Sequence, residues 1–260
     1  MFLYWVCKGE IAIYPQTHVY FAEMVLNRAS DAITLGSLLP DMIISKDFNH
    51  IQAHSIGQKL WQAFRKDNTM ADLALGAISH GITPKGLDYF GDEKYLSFER
   101  GYCFEKGRPL VDETVEACNI PSQMGWWKAH NIVEMGIELR VSTRGNYGNT
   151  IRQAFGNQDL IAKLSDLLPS LIGSSQNHLK SRLSGFTGYI EIAKATPMSL
   201  AQKYNFQMFT RHKINIDIPR VAHLIELAAE YVQDDMDEFF GVVKKQVYNE
   251  LNRLDQNTTK

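Results

Sequence analysis

The sequence predicts an all-α fold, a single multi-helix domain of about ten helices. Apolar residues recur at three- and four-residue spacings along most of the 260 residues, strand-like alternation is scarce, and helix breakers form short turn signals instead of long linkers. With 45% hydrophobic residues the chain has enough apolar surface to bury a sizeable core.

Taken in order, Met1 to Cys7 is apolar but short, lacks a basic leader and runs into Lys8 and Glu10, so it reads as a buried N-terminal segment and not a signal peptide. A helix follows Thr17, with Tyr20, Met24 and Leu26 in helical spacing; Leu60, Trp61 and Phe64, then Leu73, Leu75 and Ile78, mark the next ones. Met124 to Leu139 reads as a helix with Ile132, Met135 and Leu139 on one apolar face, followed by helical segments near 158–168, 175–193, 198–210 and 219–254. Pro40, Thr83 to Gly86, Gly107 to Pro109, Pro121, Gly145-Asn146, Thr196-Pro197 and Pro219 supply the turns between elements. No stretch approaches the roughly 20 apolar residues of a membrane-spanning helix, so an integral membrane protein is not expected.

The 27 basic and 29 acidic side chains nearly cancel, which removes the strong field expected of a duplex nucleic-acid binder. Cys7, Cys103 and Cys118 are odd in number, widely spaced and outside any CxxC pair. They point to a reducing, cytoplasmic setting and away from disulfides or a thiolate zinc site. Histidine is unevenly spread: His18, His50, His54, His80 and His130 precede residue 145, and only His178, His212 and His223 follow it. The expected organisation is a metal-binding helical core over 1–145 and a helical extension over 146–260 packed on it.

The strongest local signal is His130, Glu134 and Glu138, one imidazole and two carboxylates at successive i+4 steps on one helical face. A solvated polar stripe is the plain alternative, but Trp126 and Trp127 just upstream favour burial and a lined cleft. His80 ends an apolar run, and the turn Gly81 to Gly86 then delivers Asp88; His80 as a helix cap is the alternative. Asp41 emerges through Leu38-Leu39-Pro40, either as a ligand or as a helix cap. Of His50 and His54, four apart, one can reach a metal, and His18 lies in the first turn after Thr17, as a ligand or as a core or surface histidine. Together, imidazoles and carboxylates without thiolates form the ligand set of hydrolytic divalent-metal centres, zinc first, with iron or manganese as alternatives.

These pieces resemble the zinc-dependent phospholipase C family, whose helical fold is shared with S1/P1-type nucleases. The matching segments are Thr17-His18, Leu35-Gly36-Ser37-Leu38-Leu39-Pro40-Asp41, His54-Ser55, Leu75-Gly76-Ala77-Ile78-Ser79-His80, and His130 with Glu134, in the family's ligand order over roughly residues 15–140. The resemblance implies His18, Asp41, His54, His80, Asp88, His130 and Glu134 as metal ligands, Asp88 as the bridging carboxylate, and Asp41 as the group that also accepts a proton from the attacking water. The chain departs from the family in three ways. Asp88 follows His80 by eight residues and not four, no histidine lies between Asp88 and His130, and no processed tryptophan N-terminus is evident. The expectation is therefore a one- or two-metal site, with Glu138 replacing a missing ligand.

The function expected is hydrolysis of a phosphate ester, with a phospholipid, a nucleotide or a small phosphoester as substrate. The alternative from another class is a metal-stabilised helical binding or regulatory protein without turnover. An HD-type phosphohydrolase lacks support because no adjacent His-Asp pair occurs. Arg140, Arg144 and Arg152 are candidate phosphate contacts, with solvated surface arginine as the alternative, and Ser184-Gly185-Phe186-Thr187-Gly188 reads as a kink and not a phosphate loop.

Overall fold

Local capping chemistry sets where the first helices begin. In the computed structural model, which describes residues 14–173, 176–186 and 195–257, every regular element is helical, and no strand occurs among those residues. Helix α1 (Pro15–Leu26) starts on a proline, whose fixed φ suits the first helical position, and ends at Asn27 in the left-handed region. Helix α2 (Asp31–Ile43) is capped by Ser30, whose Oγ accepts from Ile33 N at 3.2 Å. A reciprocal Asn49–Gln52 capping box starts the single turn α3 (His50–Ala53), followed by α4 (Ile56–Phe64). Asp67 caps α5 (Asn68–His80).

The region 89–124 folds as a five-residue π turn (Tyr89–Glu93) and the short helices α6 (Tyr102–Gly107) and α7 (Val111–Cys118). Helix α8 (Gly125–Val141) follows, then α9 (Tyr147–Gly156), α10 (Gln158–Leu167), the turn α11 (Pro169–Ile172), α12 (Gln176–Phe186) and α13 (Pro197–His212). The expected segment 219–254 is two helices, α14 (Ile218–Tyr231) and α15 (Met236–Asn257), parted by a turn that carries Gln233 and Asp234. The helices therefore exceed the expected ten. Met1 to Cys7, Thr187-Gly188 and part of the expected 175–193 helix lie outside the described residues.

Two apolar cores result. One joins α2, α4 and α5 to α9, α10 and α12 through residues such as Leu35, Leu39, Leu60, Leu73, Ile151, Leu164 and Leu183. The other joins α6, α7 and α8 to α13, α14 and α15 through Tyr102, Ile132, Tyr204, Ile225, Phe239 and Val243. Residues after 145 thus complete both cores instead of forming one extension. Helix α1 lies between them, giving Val19 to the first core and Phe21 and Val25 to the second.

The α2–α5 crossing has a specific steric basis. A Cβ at Gly36 would lie 2.1 Å from Leu73 O, and one at Gly76 would lie 2.4 Å from Ile33 O. Only hydrogen fits at that contact, which draws the C-terminal ends of both helices, and with them Asp41 and His80, to the same place. No described helix is long and apolar enough to cross a membrane.

Candidate metal centre

Helix α8 runs through the protein interior, yet Lys128, His130, Asn131, Glu134 and Glu138 on it are all buried. Burying such groups is costly unless they are paired or bind a cation. Helix termini converge on the same region. His18 enters from the first turn of α1, Asp41 from the last turns of α2, His54 from the end of α3, and His80 from the last residue of α5. Asp88 follows a loop closed by Gly86 N donating to Gly81 O at 2.9 Å and Ile82 N donating to His54 O at 2.8 Å.

Three ligand groups form, and within each the donor atoms lie within 4.8 Å of one another: His18, Asp41 and His80; His54, His80 and Asp88; Asp92, His130 and Glu134. The first two share His80 and make a nitrogen-rich pole with three imidazoles. In the third, His130 and Glu134 come from one face of α8 and Asp92 from the π turn.

Ring orientations at the first pole are fixed from behind. His80 Nδ1 lies 2.6 Å from Ser37 O and His54 Nδ1 3.0 Å from His50 O. A carbonyl oxygen can only accept, so each Nδ1 carries the proton and donates it, and in the neutral ring Nε2 presents a lone pair. Those lone pairs face carboxylate oxygens: His54 Nε2 is 3.1 Å from Asp88 Oδ2 and 3.4 Å from Asp41 Oδ1, and His80 Nε2 is 3.0 Å from Asp88 Oδ2 without hydrogen-bond alignment. Acceptors so close to acceptors require a proton or a cation between them. His18 Nδ1 and Asp92 Oδ1 are likewise buried without a hydrogen-bond partner. The donor set fits a divalent metal.

Electrostatics divide the site in the same way. Burial lowers the basicity of His54, but hydrogen bonds to Asp41 and Asp88 outweigh it and hold the imidazole well above its ordinary range. Burial would raise Asp88, but the His80 and His18 charges outweigh it and hold the carboxyl well below the carboxylate range. Asp41 is lowered for the same kind of reason, His80 outweighing burial. At the other pole burial and the neighbouring carboxylates act together: Glu134 and Asp92 are both pushed well up. His18 and His130 are pushed down to about 3, chiefly by burial. Burial and mutual repulsion thus disfavour ionisation of the two carboxyls, a penalty that a divalent cation would relieve.

The site opens on a cavity of about 280 Å³ whose wall includes Arg100, Lys128 and Arg211. Tyr14 stands over the centre, its hydroxyl donating to Asp88 Oδ1 at 3.3 Å and its ring 4.7 Å from that of His18.

The chain matches no protein-family model, no curated protein and no solved structure. The reading of the site therefore rests on its own geometry and on the motif order.

Seven of the eight expected ligands come together: His18, Asp41, His54, His80, Asp88, His130 and Glu134. Glu138 does not join them. Two helical turns separate it from His130, roughly 12 Å along the axis, beyond the reach of one ion. Its Oε1 accepts from Gln16 N at 3.0 Å, and its Oε2 accepts from Thr17 N at 2.9 Å and Thr17 Oγ1 at 2.8 Å. It caps α1 from another helix, a task that Tyr14 at the N-cap position does not perform with its own side chain. The carboxylate that groups with His130 and Glu134 in its stead is Asp92, on the π turn. His54 is the inward member of its pair, with His50 stacked on it at 3.9 Å and exposed. Arg140 and Arg144 bind Gln233 and Asp237, and Arg152 is exposed on α9; none of the three lines the cavity. Trp127, expected to be buried, is 54% exposed at the cavity wall, whereas Trp126 donates Nε1 to Phe104 O at 2.7 Å.

Proposed function

We propose that this protein is a metal-dependent phosphoric ester hydrolase, similar in its ligand order to the zinc-dependent phospholipase C family. The observation that carries the reading is the pair of imidazoles whose Nδ1 protons are spent on backbone carbonyls and whose Nε2 atoms both approach Asp88. His18, Asp41, His54, His80, Asp88, Asp92, His130 and Glu134 are the residues that would hold the ions. A bound divalent cation, zinc first among the candidates, supplies a water of lowered pKa and neutralises charge building on the phosphoryl oxygens.

The chain's own groups complete the chemistry. Asp41 has a side chain 13% exposed against 7% for Asp88, so it is the first-pole carboxylate that faces the cavity more openly. Its lowered pKa keeps it ionised at neutral pH, ready to take a proton from the attacking water. Arg100, Lys128 and Arg211 place positive charge along the wall, where phosphoryl oxygens of a small-molecule or lipid ester would lie. An open cavity beside the ligands favours turnover over a closed structural metal in a binding module.

The test is hydrolysis of generic phosphomonoesters and phosphodiesters by protein stripped with a chelator and then reloaded. Activity is expected to vanish on stripping and return on reloading. Asp41→Asn is expected to lower turnover more than metal occupancy, because the amide keeps a ligand oxygen but cannot take a proton. Metal-loaded protein inactive on lipid, nucleotide and small-ester substrates would transfer the assignment to the binding module.

A further inference from the structure

We infer that the two poles of the centre take unlike cations, zinc at the nitrogen-rich pole and a harder, oxygen-seeking ion of the manganese class at the Asp92, His130, Glu134 pole. The inference rests on the metal-dependent reading above and concerns which ion each pole holds.

Donor counts carry the argument. The first pole presents three imidazoles, His18, His54 and His80, with Asp41 and Asp88. The second presents one imidazole and two carboxylates. Imidazole-rich sites suit zinc, whereas carboxylate and water donors suit magnesium and manganese. For any one site zinc still binds more tightly than manganese, so discrimination lies in how far that advantage falls between the poles. Replacing imidazoles by carboxylates shrinks it at the second pole only.

The second pole is also a built site and not an acidic patch. His130 and Glu134 are 4% and 3% exposed, and Asp92 Oδ1 is buried without a hydrogen-bond partner. Asp92 is held by its backbone: its carbonyl oxygen accepts from Gly101 N and from Arg100 Nε, each at 3.2 Å. Asn131 Nδ2 donates to Glu134 Oε2 at 3.1 Å, which orients that carboxylate from the side.

The experiment uses the full chain, stripped of metal, mixed with one equivalent each of zinc and manganese. Bound manganese is read by the loss of the free-ion electron paramagnetic resonance signal, and both metals are counted after desalting. The expected product carries one zinc and one manganese per chain. His54→Ala is expected to lower zinc retention at least tenfold while manganese stays immobilised, and Glu134→Gln to do the reverse, with circular dichroism confirming that each variant is folded. A mixture of two-zinc and metal-free molecules with manganese left free would overturn the inference and leave the hydrolase reading standing. Folded protein that retains neither ion would overturn both.

Discussion

Replacing Glu138 by Ala removes the carboxylate that accepts from the start of α1. Gln16 N, Thr17 N and Thr17 Oγ1 all donate to that carboxylate, and all lie in the interior. A buried donor left unpaired costs roughly 1–3 kcal/mol; Thr17 N also donates to Tyr14 O at 3.2 Å and the threonine hydroxyl can turn to another acceptor, so Gln16 N sets the loss, about 2 kcal/mol. For a chain of this size that corresponds to a fall in Tm of roughly 4–8 °C. The loss should appear in full in metal-free protein, because it arises from helix capping and not from metal ligation. Since His18 follows Thr17 directly, zinc affinity should fall as well, by a smaller factor than in His54→Ala. Thermal unfolding by calorimetry with and without zinc separates the two contributions. A metal-free variant within 2 °C of the parent, or one destabilised only when zinc is present, would refute the capping argument and return Glu138 to the ligand set.

Metal-free protein should lose stability as pH rises above about 6.5, the ordinary histidine value. The sign follows from three groups with raised pKa values: His54 contributes its charged-state stability below its unfolded pKa and loses it as pH rises through the folded one, and Asp92 and Glu134 must give up protons that they hold in the fold. Zinc should flatten or invert that slope in Tm measured across the same range. Gly36→Ala should cost at least 1–3 kcal/mol from overpacking and weaken metal binding, because its Cβ would meet Leu73 O at 2.1 Å and push apart the helices carrying Asp41 and His80; equal metal affinity would show that the crossing does not set the site. His130→Ala should lower metal content per chain by elemental analysis, while His223→Ala, exposed and paired with Glu226 at 3.7 Å, should leave it unchanged.

What could be read from the sequence follows from the range of each interaction. Helical class and the positions of His18, His80, His130 and Glu134 are local matters, fixed by periodicity and by the breakers beside them. Gly36 and Gly76 were visible as motif letters, but their reason is a contact between two helices 40 residues apart in sequence. Asp92 escaped because it sits on a π turn, where no 3.6-residue pattern announces a helix face. Glu138 was misassigned because i+4 spacing reports a shared face and says nothing of distance along the axis; the partner that claims it, the bare start of α1, lies more than 120 residues away. Trp127 shows the limit of composition, since of two adjacent tryptophans one stays exposed at the cavity wall and the other is only half-buried.

The placement of α1 between two cores has a mechanical corollary. Asp41 and His54 sit beside the first core and His130 and Glu134 on α8 in the second, while α5, which carries His80, reaches both through Leu73 and Ile78, so the candidate centre lies along the seam between the cores. A substitution deep in either core, such as a cavity at Leu164 or at Phe239, shifts one body against the other and reaches the centre as a change in ligand spacing. Cations at both poles would act as rivets across that seam.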